Sequence, residues 1–294
     1  MKVVQRVLNL DYELAYDYLK DIYDYLPSLY GGFKNRKIFD DVTTYCMFIG
    51  YPRSGHSLIG ALLDAHPEMI IAHELNTLRY ILGMYNRNQI YHLLIKKSLL
   101  FALTGRKRGG GYDYNVPNQW QGTFKNLRII GDKQGGGSTL ITQTRPDILD
   151  KLRKVVGVKV KLIHVIRNPF DNITTISIRE RQNNPVDRTC LKRNIDYFFT
   201  LCEVVSKTRN QVKESEFFEL KHESFIKSPQ SHLKGLCSFL GVEATKDYLD
   251  DCASIVYKSP HKSRFKVKWT PELIELVESK IDEYPFLKGC SYED

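Results

Sequence analysis

Apolar positions along the chain recur in two rhythms. Leu10, Leu14, Tyr18, Ile22 and Tyr25 stand three or four residues apart, a helical stripe over residues 9–30 that Pro27 is expected to close. Further helices are predicted over residues 58–63, 77–103, 146–156, 171–181 and 195–212, and over 233–240, where Gly241 supplies the stop. A last helix opens at Thr270-Pro271-Glu272, with Thr as N-cap and Pro in the first turn. Between the helices lie short runs with no helical period. Residues 45–49, 127–130, 159–166 and 216–220 are of strand length, and the first three of these runs lead into turns. VKLIHVI, ending at Arg167-Asn168-Pro169, is the clearest of them.

Strands that alternate with helices imply an α/β fold around a mainly parallel central sheet. No internal repeat or linker divides the chain, so residues 1–294 are expected to form one domain, with residues 1–40 as a helical extension packed on its core. Ligands of such sheets bind at the carboxyl ends of the strands, where helix N-termini point outward. The chemistry is therefore expected at residues 50–57, 131–138 and 167–175.

Composition narrows the class. With 42% hydrophobic and 26% charged residues, the chain has material for a sizeable core and is not a disordered or fibrous polymer. The formal net charge of +9 favours an anionic partner. Six scattered cysteines form no CxxC pair and no Cys/His cluster, so neither zinc nor any other metal is expected. The N-terminal residues carry charges every few positions and lack a signal-type apolar core, and no 18-residue apolar run occurs. These features read as a soluble, cytoplasmic protein in a reducing compartment. Residues 104–121, with Arg106-Lys107-Arg108 and a glycine triplet, read as a flexible basic loop.

Two motifs carry the candidate chemistry. Gly50-Tyr51-Pro52-Arg53-Ser54-Gly55-His56-Ser57 joins a strand to a helix. Gly55 permits close backbone approach, the first helical amides face an anion, and Arg53, Ser54, His56 and Ser57 add donors. A plain tight turn is the alternative. The spacing fits a phosphate loop, but His56 stands where an ATP-binding loop has lysine, and no acids are in evidence to hold magnesium. In the second motif, Arg167 leaves a strand end where its planar fork can grip a phosphate, and Thr175 follows eight residues later on the next helix. An Arg167 paired with an acid is equally compatible with that pattern.

Taken together these motifs resemble the 3′-phosphoadenosine 5′-phosphosulfate (PAPS)-dependent sulfotransferases. YPRSGHS is similar to their 5′-phosphosulfate loop, and HVIRNPFDNITT to their 3′-phosphate motif. Leu63-Asp64-Ala65-His66-Pro67-Glu68 is similar to the stretch after that loop in protein-tyrosine and many bacterial members. Lys221-His222-Glu223 and Phe239-Leu240-Gly241 resemble later family segments, so the likeness spans roughly residues 43 to 290. It implies a P-loop-like three-layer fold and transfer of the PAPS sulfuryl group to a hydroxyl or amine of a small-molecule acceptor. No metal, nucleic acid or membrane span is implied, and the nucleotide product is adenosine 3′,5′-bisphosphate (PAP).

By this resemblance Glu74, twenty-one residues after Arg53, is the general base, with His73 as its rival. Outside the resemblance, Glu74 also reads as an acid at a helix N-terminus. Arg53 and Lys133 are placed at the transferred group. Arg53, Ser54, Gly55, His56, Ser57 and Leu58 would hold the 5′ side, and Arg167 and Thr175 the 3′-phosphate. Lys262 and Arg264, in a basic segment before the last helix, would close over the nucleotide. The acceptor is expected among variable segments that hold Tyr80, Tyr85, Tyr91, Tyr112, Tyr114 and Trp120. Two other readings stay open: an ATP-dependent P-loop phosphotransferase, and a non-catalytic basic module that binds nucleotides or nucleic acid.

Overall fold

Five strands form one sheet in the order β2-β3-β1-β4-β5, and every neighbouring pair runs parallel. The structure is a computed structural model and describes residues 23–106, 112–182 and 184–294. The strands are β1 (Thr44–Ile49), β2 (Met69–His73), β3 (Ile129–Lys133), β4 (Lys159–Ile166) and β5 (Phe217–Lys221). The helices are α1 (residues 23–34), α2 (His56–Asp64), α3 (Thr77–Leu82), α4 (Arg87–Leu103), α5 (Gly136–Thr144), α6 (Ile148–Val156), α7 (Pro169–Arg181), α8 (Arg188–Gln211), α9 (His222–Lys227), α10 (Pro229–Leu240), α11 (Lys246–Ser254) and α12 (Pro271–Ile281).

The centre of the sheet explains the strand sequences. All six residues of β1, TYCMFI, are buried, as a parallel strand covered on both faces requires. Side chains alternate across a strand, so Tyr45, Met47 and Ile49 enter one core and Cys46 and Phe48 the other. The first core is filled by α3, α4, α6, α7, α8 and α12, and the second by α2, α9, α10 and α11. The result is the expected three-layer α/β fold. The sheet order has a consequence for function. β1 lies between β3 and β4, so the chain segments leaving those three parallel strands converge at the carboxyl end of the sheet. No helix among the described residues is long and apolar enough to cross a membrane.

Several boundaries differ from the sequence reading, each for an identifiable reason. β2 was not anticipated: Met69–His73 is a five-residue run hidden between a turn and a polar segment. Glu74 therefore follows a strand and does not open a helix. The strand expected at 127–130 is β3, which runs on to Lys133 because Asp132 and Lys133 are buried polar residues at its functional end. The single helix expected over 77–103 is broken. Gly83 caps α3, and Asn86 starts α4 with a reciprocal capping box to Gln89. The glycines after Lys133 start α5, and Asp187, which accepts from the Cys190 amide at 2.7 Å, starts α8 seven residues before the expected position.

The N-terminal stripe lies partly outside the described residues. Within them Pro27 does not close the helix, which continues to residue 34; proline lacks one N–H, but its fixed φ is helical. This helix packs on α4, where Gln89 Nε2 donates to the Tyr25 carbonyl at 3.2 Å. The loop expected over 104–121 is anchored at its start. Arg106 is fully buried and donates to Asp64 Oδ2 at 2.5 Å. Lys107 and Arg108 lie outside the described residues.

Candidate active site

The loop between β1 and α2 is held from behind. The Gly50 amide donates to Thr139 Oγ1 at 2.8 Å, and that hydroxyl donates to the Gly50 carbonyl at 2.7 Å, so α5 fixes the point where the chain leaves β1. Two left-handed residues follow, Arg53 with φ 68° and Gly55 with φ 103°. Gly55 also has no room for a side chain, since a Cβ would stand 2.4 Å from the His222 ring. The turn presents the N-terminus of α2, with its oriented amides, to the cleft. Of the residues assigned to this loop, Arg53, Gly55, His56, Ser57 and Leu58 line the cleft. Ser54 does not: it is fully buried and its hydroxyl donates to the Tyr51 carbonyl at 3.2 Å.

Opposite the loop stand Glu74 and Lys133, on the ends of the neighbouring strands β2 and β3. Lys133 is buried, and its Nζ donates to Glu74 Oε1 at 2.7 Å and to Ser57 Oγ at 3.0 Å. A carboxylate, an ammonium and a hydroxyl from three separate elements thus meet at one point. The Glu74 backbone is itself left-handed, with φ 60°. His73, the rival base, is not part of this group. It points away from the cleft lining and stacks on Phe101, with ring centroids 4.1 Å apart and planes within 12°. His73 is the last residue of β2 and Glu74 the left-handed residue just after it, so the backbone turns between the two candidates.

Arg167, at the end of β4, draws three segments together. Its guanidinium donates to the Arg53 carbonyl at 3.0 Å, to the His261 carbonyl at 2.8 Å and to Ser263 Oγ at 3.2 Å. Its longest contact is to Thr175 Oγ1 at 3.4 Å, so the two residues paired by sequence spacing do meet. Burial pushes the Arg167 pKa below the usual guanidinium value. The C-terminal basic segment is arranged differently from the sequence assignment. Arg264 is buried away from the cleft, 3.2 Å from Asp171, and donates to the Ser291 and Asp294 carbonyls. Lys262 is exposed and outside the lining, while Ser263 and Lys266 of the same segment face the cleft.

These parts enclose a cleft of about 1240 Å³. Among the described residues, its cations are Arg53, Lys133, Arg167, Arg179, Lys258 and Lys266, against the single carboxylate of Glu74. Low-dielectric walls of one sign concentrate an anionic ligand. Arg179 was missed in the sequence although it follows Thr175 by four residues, which puts both on one face of α7. Tyr112 and Tyr114 line the cleft as expected. Tyr112 packs on Tyr114 and on Tyr257, with centroids 4.7 and 4.9 Å apart, and its hydroxyl donates to the Ile255 carbonyl. Tyr80, Tyr85 and Tyr91 are instead buried in the core, and Trp120 is not among the lining residues.

Two histidines in the cleft are neutral at physiological pH. Burial, with Lys133 beside His56 and Arg167 beside His222, lowers each pKa to about 3. The unfolded value is about 6.5, so between pH 6.5 and 3 the unfolded chain binds more protons and these histidines destabilise the fold as pH falls. At pH 5 the buried His56 is expected to cost about 2 kcal/mol relative to pH 7. In urea melts at the two pH values, His56→Thr should therefore lose less stability than the wild type. Equal losses would mean that His56 is protonated as readily in the folded chain.

Residues 134–247, which include Arg167, Thr175 and His222, match the model of the sulfotransferase family. No curated protein matches the chain. Among solved structures, it is similar to sulfotransferase STF9 from Mycobacterium avium at 12% identity and a TM-score of 0.49, covering 86% of this chain and 80% of that one. It is also similar to the sulfotransferase domain of the Synechococcus PCC 7002 olefin synthase, at 14% identity and a TM-score of 0.47, covering 81% and 94%. Mouse sulfotransferase SULT7A1, solved in complex with PAP, aligns at 12% identity and a TM-score of 0.45, covering 83% of each chain. The family that the motifs resemble is thus the family that the central segment matches: residues 134–247 carry the sequence pattern of the sulfotransferases.

Proposed function

We propose that the protein is a PAPS-dependent sulfotransferase that sulfates a hydroxyl or amine of a small-molecule acceptor. One observation carries the reading: a cation-lined cleft holds, among the described residues, a single carboxylate, Glu74, ion-paired to Lys133 beside the Gly55 loop. The family match supports sulfuryl transfer in general. The residues fit the co-substrate. Gly55, left-handed and packed against the His222 ring, lets the loop turn tightly, and the α2 N-terminus with Arg53, His56, Ser57 and Leu58 suits the 5′-phosphosulfate. Arg167 and Thr175, joined by Arg179, Ser263 and Lys266, suit the 3′-phosphate.

When bound, PAPS supplies an activated sulfuryl group. The chain aligns the acceptor, removes its proton and steadies the negative charge. Glu74 is the group placed to take the acceptor proton. Lys133 and Arg53 are placed to stabilise charge on the transferred group, and because they act from a partly enclosed cleft they need little reorganisation. Tyr112, Tyr114 and Tyr257 form an aromatic wall suited to a ring-containing metabolite or natural product. We read the chain as one domain acting in the cytoplasm, a placement supported by six cysteines that are all free thiols.

ATP-dependent phosphoryl transfer is the competing enzyme class. It needs a loop lysine and magnesium-holding acids, whereas position 56 is histidine and the cleft carboxylate of Glu74 is tied to Lys133. Calorimetric titration decides between them. Micromolar binding of PAP with weak binding of ATP–magnesium is expected. Tight, magnesium-dependent ATP binding without PAP binding would overturn the proposal, and retention of nucleic acid alone would point to a binding module.

A further inference from the structure

Asp132 is a buried carboxylate to which the proposed chemistry assigns no role. It sits next to Lys133 at the end of β3, is 1% exposed and does not line the cleft. Each of its two oxygens accepts from a backbone amide. Oδ1 accepts from the Leu75 amide at 3.0 Å and Oδ2 from the Thr77 amide at 2.8 Å. Those amides belong to the peptide units that follow Glu74 and Asn76. Both of these residues are left-handed, with φ 60° and 67°. Such a conformation costs about 1–3 kcal/mol per non-glycine residue and persists only where its surroundings enforce it.

The peptide unit before Glu74 is held as well, because the Glu74 amide donates to the Lys133 carbonyl at 3.2 Å. Two consecutive residues of β3 therefore fix both peptide planes that flank Glu74, and the second also holds its carboxylate through Nζ. We propose that Asp132 is a positioning residue that locks the Glu74 backbone so that its carboxylate faces Lys133 and the acceptor. This rests on the reading of Glu74 as the base. It assigns Asp132 a role that a simple helix-capping acid would not have. A cap for the six-residue α3 would affect stability and leave turnover untouched.

The test uses Asp132→Asn, which keeps the size of the side chain but turns one acceptor into a donor facing an amide. The variant is compared with wild type, Glu74→Gln and the double mutant in PAPS turnover with 2-naphthol, or with water where that phenol is refused. Expected for Asp132→Asn are a 10–100-fold loss of kcat, a KM for PAPS within about threefold and an unchanged PAP affinity. The double mutant should be no slower than Glu74→Gln, because both changes disable one device.

A crystal structure of Asp132→Asn with PAP decides the point without any acceptor: Glu74 should leave Lys133 while Arg167 keeps Thr175 and Ser263. Glu74 still at its wild-type distance from Lys133, full kcat, additive losses in the double mutant, or loss of PAP binding would each overturn the proposal. Full turnover of Glu74→Gln would instead overturn the reading of Glu74 as the base.

Discussion

Arg167→Ala is expected to weaken binding of PAP about 100-fold while changing the affinity for adenosine 5′-monophosphate by less than about fivefold. The difference isolates the 3′-phosphate, since the two nucleotides are otherwise alike. Hydrogen bonds to charged groups are each worth about 1.5–3 kcal/mol, and 1.4 kcal/mol is tenfold in affinity, so loss of a bidentate grip reaches that size. The geometry makes the selectivity informative. Arg167 also holds the Arg53 and His261 carbonyls, and so ties the 5′ loop to the C-terminal segment. If that tie were its whole purpose, removing it would loosen the Arg53–Gly55 turn and both nucleotides would weaken equally. Equal weakening in calorimetry, with an unchanged melting temperature, would sink the phosphate role. Arg167→Lys should fall between, because an ammonium keeps the charge but lacks the planar fork.

What the sequence made legible follows physical rules that also explain what it hid. The β1 and β4 strands stood out because continuous apolar runs next to turns have few other uses, and the same turns exposed Arg53, Gly55 and Arg167. Thr175 was found because it lies in the early turns of the helix that follows Arg167, and a short strand-to-helix turn brings those two positions to one end of the sheet. β2 stayed hidden because Met69–His73 is short and both its faces are covered, so it has neither alternation nor helical period. Its loss mattered for Glu74 and His73, which adjoin in sequence but part in the fold: one faces Lys133, the other stacks on Phe101.

The C-terminal basic segment misled for a related reason. Charge count alone cannot tell Arg264, which is buried against Asp171 and main-chain carbonyls, from Lys266, which lines the cleft. Arg106 shows the same limit from the other side. Within a basic, glycine-rich stretch it reads as a solvated charge. Its partner Asp64 is 42 positions away and was noticed only as part of a family-like stretch. Long-range ion pairs leave no periodic trace in a sequence.

The largest kinetic effect is expected at Glu74. Glu74→Gln should lower turnover about 10²–10⁴-fold, the span associated with loss of a general base, with PAP affinity intact or slightly improved. The amide is nearly isosteric and its oxygen can still accept from Lys133 Nζ, so the buried ammonium is not stranded and the fold should hold. Removing the Glu74 carboxylate makes a cationic cleft more positive, which favours an anionic nucleotide. The comparison that gives the result its meaning is His73→Ala. Its imidazole is stacked on Phe101 and outside the cleft lining, so this change should cost packing stability and leave kcat within a few-fold. Steady-state rates of the two variants at saturating PAPS therefore point in opposite directions. Full turnover by Glu74→Gln together with a collapse in His73→Ala would move the base to His73. Lys133 and Glu74 would then be an ion pair that shapes the cleft without handling the proton.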